Sequence, residues 1–136
     1  MDNMQIKQLI GKKIQDDEQN VYDLQYVGVY VPTQEPLIIF IQPTVNESVQ
    51  VRPLLSFFKR TFTVLGPTAR HIEPSNETYK DTKTGRKYSL IANGRLINAN
   101  DMHVYVSIYR ETDSDPSKPV LVRNWNVFND GRNQLL

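Results

Sequence analysis

The residues of this chain best suited to chemistry are two histidines, one acidic loop and one basic turn, and none has the spacing that a reaction requires. His71 lies in a polar stretch and His103 on an alternating, strand-like run, without the H-E-x-x-H or H-x-E pattern that brings metal ligands together. Glu111, Asp113 and Asp115 offer oxygens to a hard cation. Pro116 follows at once, however, and neither the turn glycine nor the distal glutamate of a calcium loop is present, so a solvated loop is expected. Lys83-Thr84-Gly85-Arg86 has the composition of a phosphate-binding turn but opens no helix, and it is read as a hairpin turn. A nucleophile elbow, a phosphate loop and a dinucleotide fingerprint are all missing. With no cysteine, disulfides, thiolate metal sites and cysteine nucleophiles are excluded. No catalytic, metal or cofactor residue is assigned, and a non-enzymatic protein is expected.

Binding chemistry is better represented. Residues 52–95 carry nine basic side chains against three acids, a balance of +6 in a chain whose total is +1. Arg52, Lys59, Arg60, Arg86, Lys87 and Arg95 are the candidate basic docking face for an acidic partner or a polyanion. His103, Tyr105 and Tyr109 alternate on one strand and form a candidate stacking face for bases. Tyr22, Tyr26 and Tyr30 form a second such set. Cross-strand ladders and half-buried sheet faces use tyrosine in the same way. The sequence pI of about 7.9 also lies below the basic range of a dedicated nucleic-acid domain.

The elements that must hold these residues read mainly as strands. Asp2 as a cap, with Met4, Leu9, Ile10 and Ile14 at near-helical spacing, predicts a short amphipathic helix within an N-terminal arm, 1–19. Gly11 weakens that helix, and Asp16-Asp17-Glu18, opposed to its dipole, marks the exit from it. Val21 to Val31 predicts a strand with Tyr22, Leu24, Tyr26 and Tyr30 on one face and Val21, Val27, Val29 and Val31 on the other. Leu37 to Ile41, between Pro36 and Pro43, predicts a central strand buried on both sides.

Residues 44–52 alternate weakly through Val45, Val49 and Val51. Residues 53–65 suit either a helix at 53–59 followed by a strand at 60–65 or one long strand, with Pro53 favouring a helix start. A long polar loop is expected over 66–86. Asn93-Gly94 predicts a type I′ hairpin turn, because both central residues of that turn need positive φ. Met102 to Tyr109 should turn Met102, Val104, Val106 and Ile108 inward. Residues 113–119 read as an exposed loop, and Val120 to Phe128 as the last strand, ended by Asn129-Asp130-Gly131. No internal repeat is visible.

Together these elements predict a mainly β fold, an antiparallel β-sandwich or partly open barrel of about seven strands with an N-terminal helix, in a single domain over 1–136. The 39% apolar and 23% charged composition is that of a folded globular chain. No apolar run is long enough to span a bilayer, and the start lacks a signal-peptide pattern. An intracellular, cytoplasmic setting is expected, or one within a virus or phage particle. The sequons Asn46-Glu47-Ser48 and Asn76-Glu77-Thr78 are read as coincidental. Valine- and tyrosine-rich strands, an N-terminal helix and a polar arm are parts suited to self-assembly. The expected function is a β-rich binding or assembly module, a self-associating structural subunit such as a virion component, with a basic docking face. The alternative is a single-stranded nucleic-acid-binding protein.

Overall fold

The computed structural model describes residues 3–43, 48–75, 77–98, 100, 102–131 and 133–136. Asp2, Val45, Asn46 and Asn76 lie outside them, so the expected cap, part of the weak alternation and the first residue of each sequon do too. Among the described residues no helix is long and apolar enough to cross a membrane.

Strands take 52% and helices 11%, so the fold is mainly β. In chain order the elements are α1 (Asn3–Leu9), β1 (Lys12–Asp16), β2 (Val21–Tyr30), β3 (Glu35–Ile41), β4 (Val49–Pro53), α2 (Leu54–Phe57) and β5 (Phe62–Pro67), then β6 (Thr78–Asp81), β7 (Lys87–Ile97), β8 (His103–Glu111), β9 (Val120–Asn124), α3 (Trp125–Phe128) and β10 (Asn133–Leu135). The ten strands among the described residues exceed the expected number of about seven. Six of them, β2, β3, β4, β7, β8 and β9, close into a barrel in that ring order, in place of a sandwich or an open barrel.

Closure follows from how two long strands are shared. The first residues of β2 pair with β1 and its last with β9, and a register shift falls between them at Leu24/Tyr26. In β7 the first residues pair with β6 and the last with β4, with a shift at Leu90/Ala92. A bulge adds one residue and bends the strand. Each long strand therefore leaves an outer ribbon and enters the barrel at its bulge. The bulge also splits the expected tyrosine face: Tyr22 and Leu24 pack in an outer cluster, whereas Tyr26 and Tyr30 pack against the cluster that fills the barrel.

The fold repeats itself internally, where the sequence shows no repeat. The order strand, long bulged strand, strand, strand, short helix, strand occurs twice, as β1 to β5 and as β6 to β10. The last strand of each half pairs with the first, β5 with β1 and β10 with β6. The fourth strand of each half pairs in parallel with the long strand of the other, β4 with β7 and β9 with β2. This exchange preserves strand direction, so the pseudo-twofold axis runs along the barrel. Tyr22, Leu24 and Gly28 correspond to Tyr88, Leu90 and Gly94, and Val49, Val51, Arg52 and Phe57 to Val120, Val122, Arg123 and Phe128. Ring contacts repeat as well: Tyr22 meets Phe40 edge-on at 5.1 Å and Tyr88 meets Tyr109 edge-on at 5.3 Å.

The core is correspondingly threefold. Leu37, Ile39, Val51, Leu96, Val106, Ile108 and Val122 fill the barrel. On one flank Phe57 of α2 packs on Phe40, and on the other Phe128 of α3 packs on Tyr109. As the sequence predicts, Leu37 to Phe40 are wholly buried. Of the two readings left open for 53–65, the short helix followed by a strand is the one found, as α2 and β5.

Other expectations are corrected. The N-terminal helix buries Ile6 and leaves Met4 exposed; it stops before Gly11, at φ +84°, and Ile14 belongs to β1. Strand β7 runs straight through Asn93-Gly94 to Ile97, and beyond it Asn98 Oδ1 accepts the N–H groups of Asn100 and Met102. The 66–86 stretch contains β6 and is held to the barrel by Gln25, which donates to the Arg70 carbonyl and accepts the Ile72 N–H. The last predicted strand stops at Asn124, and α3 and β10 follow.

Candidate functional site

The six basic candidates fall into three separate places. The first is a groove of about 200 Å³ beside α2, where Arg52 and Arg60 converge with Tyr22, Ser56 and Asn98. Lys59 is exposed next to it in the chain. The groove is anchored by Asp16, whose side chain has no solvent exposure although it lies in a shallow surface turn. Asp16 Oδ1 accepts the N–H groups of Glu18 and Asn20, and Oδ2 accepts the Tyr22 hydroxyl at 3.0 Å and Arg60 Nη1 at 3.1 Å. Burial pushes the Asp16 carboxyl up, but the hydrogen bonds from Asn20, Tyr22 and Glu18 outweigh it and hold the group below its ordinary value. The same burial and the Asp16 contact push Tyr22 up to about 12. Arg60 spends one nitrogen on Asp16 and stays half exposed, leaving the rest of its fork facing the groove with Arg52. In the second half, Arg123 and Tyr88 line a smaller pocket at the position equivalent to Arg52 and Tyr22.

The second place is a cleft of about 530 Å³ at the start of β7, where Arg86, Lys87 and Lys118 face Glu111, Asp113 and Asp115. Arg86 Nε stands 3.7 Å from Glu111 Oε1, both well exposed, a pair of little energetic weight. Charges of both signs share this cleft, so it presents no basic face.

Arg95 is the third place. It lies exposed eight residues further along β7, about 26 Å away at ordinary strand rise, directly opposite Tyr105 of β8. The expected docking face is thus reduced to the Arg52, Lys59 and Arg60 group.

The candidate stacking face also divides. His103 and Tyr105 are exposed on β8, but Tyr109 is 3% exposed and wedged between Tyr88 and Phe128. Burial pushes Tyr109 up to about 12, against the nearby Arg123. Its position in β8 faces α3, where the sequence pattern predicts a strand. His71 is exposed too, and no cluster of three metal-ligating side chains occurs among the described residues.

Two sheet edges complete the candidate surfaces. Among the described residues, β5 pairs only with β1 and β10 only with β6. Strand β5 contains no charged residue, and its Val64 and Leu65 are exposed, as are Leu135 of β10 and the adjacent Leu136. The uncharged run Phe62 to Leu65 is the sequence signal that points to this edge.

Comparisons with protein-family models, with curated proteins and with solved structures found no match, so these surfaces are argued from their own geometry.

Proposed function

We propose that the chain is a non-enzymatic assembly module, a structural subunit whose copies join through the edges β5 and β10, with Arg52, Lys59 and Arg60 as a docking group for an acidic partner. The observation that carries this reading is the pair of open edges, placed on opposite sides of the barrel by its pseudo-twofold axis. Joining β5 of one copy to β10 of the next repeats without closing on itself at once, the property of a ring or filament contact. Natural edge strands are commonly blunted by lysine or proline. Strand β5 keeps only the Leu65 bulge and the terminal Pro67. An array-forming subunit of a virion or phage particle is the kind of protein that uses such edges.

Light scattering over a range of concentrations tests this reading. The expected result is a mass that rises with concentration and falls to the monomer in Val64→Lys and in Leu135→Lys. A strict monomer at high concentration, or assembly indifferent to both substitutions, removes it. The nucleic-acid reading keeps Arg95 opposite Tyr105 but loses Tyr109. Salt-sensitive retention of a labelled single strand, abolished by Tyr105→Ala, would favour it over assembly.

A further inference from the structure

A cavity of about 270 Å³ opens near the end of the barrel where β8 leaves and β9 enters. Its apolar surface comes from Ile10, Tyr26, Val27, Pro116 and Pro119. Three cations stand around it, Lys7 at the end of α1, Arg110 at the end of β8 and Lys118 ahead of β9. No acid lines it. None of the three cations has an ion-pair partner among the described residues, and Arg110 lies over the Tyr26 ring, 6.0 Å from its centre. Asp115, the acid that acts on Arg110 and Lys118, lies outside the lining and accepts the Ser117 N–H.

We infer that this cavity is a binding site for a small organic carboxylate with an apolar body. An apolar floor with a few convergent polar groups is the usual make-up of a ligand pocket, and barrel mouths are a usual place for one. Positive charge without a resident acid selects an anion. A bare inorganic anion would leave the apolar floor uncovered, whereas a neutral hydrocarbon would leave the cations of the lining without a counter-charge inside the cavity, even though Lys118 also borders the neighbouring acidic cleft. The size, just under the usual lower bound of about 300 Å³, suits a small molecule. The site breaks the internal symmetry: the β7 counterparts of Tyr26 and Val27 are Ala92 and Asn93, so the duplication alone does not account for it.

The experiment titrates octanoate and octanol into the whole chain and follows backbone amide shifts at low and high salt. The expected result is saturable octanoate binding with shifts confined to the lining, weakened by salt, and octanol binding about tenfold weaker for want of a charge-assisted contact. The double variant Lys7→Gln/Lys118→Gln alters only exposed side chains; it should weaken octanoate severalfold and leave octanol unchanged. Octanol binding as well as octanoate, shifts mapping elsewhere, indifference to the double variant, or no saturable binding would each overturn the inference. The assembly reading is independent of it, since the cavity touches neither β5 nor β10.

Discussion

A Cβ added to Gly94 of β7 would lie 2.9 Å from the carbonyl oxygen of Val49 on β4. Gly28 of β2 stands in the equivalent place, where a Cβ would meet the Val120 carbonyl of β9 at 3.2 Å and Ile39 Cδ1 at 3.0 Å. At both crossings between the halves a glycine lets two strands run side by side, so the barrel closes at glycine positions.

Gly94→Ala is therefore expected to destabilise the protein by about 1 to 3 kcal/mol, since the obstructing atom is backbone and β4 must shift as a whole. Urea denaturation measures the loss, and Gly28→Ala should cost less because part of its obstruction is a movable side chain. Amides of 92–96 should also exchange slowly; rapid exchange there would restore the hairpin turn in place of the continuous strand.

That pair of glycines explains much of what the sequence conveys and what it conceals. Leu37 to Ile41 is legible because burial on both faces demands a continuous apolar run. Asn93-Gly94 is misleading because glycine meets two different needs, positive φ and close approach, and only the partner strand β4 distinguishes them. Duplication is hidden because few identities survive and the spacing between equivalent residues changes between the β2/β7 and β4/β9 segments. Tyr105 and Tyr109 look equivalent by alternation, yet α3 covers only the second. Asp16 reads as the acidic exit from a helix because its partners Tyr22 and Arg60 are brought to it only by β2 and by the turn before β5.

Asp16 makes stability sensitive to acid. Its folded value lies below the ordinary 3.8, so the stabilisation it supplies is fully present above that value and is lost as pH falls through the folded one. Asp16→Asn should lose stability at neutral pH and show a shallower decline on acidification. Chemical denaturation across that range checks this, and parallel curves for the two proteins would refute it. Arg60→Gln should cost less, because the arginine is half exposed and its pair is screened by salt.

Three tyrosines act at the alkaline end. Tyr22 and Tyr109 are pushed up to about 12 chiefly by burial, and Tyr79 to about 12 by its 2.6 Å hydrogen bond to Glu77. A raised folded value contributes stability fully below the unfolded value of 10.0, lost as pH climbs through about 12. Absorbance titration should show Tyr22 and Tyr109 ionising together with alkaline unfolding. Tyr79→Phe should remove one phenol from the same high-pH step and shift the unfolding midpoint less than Tyr109→Phe does, because Tyr79 is the least buried of the three.

Asp23 carries the opposite expectation, a gain on removal. It is wholly buried between β1 and β3, and among the described residues neither carboxyl oxygen meets a hydrogen-bond donor. Lys13 stands directly across on β1 without reaching it. A buried polar group without a partner costs on the order of 1 to 3 kcal/mol, and valine matches the site in volume and in strand preference. Asp23→Val should therefore raise Tm. A lower Tm would mean that Lys13 or another donor meets the carboxyl in solution, and Lys13→Met separates the two cases: it leaves Tm unchanged if Asp23 is unpaired and lowers it if the pair forms.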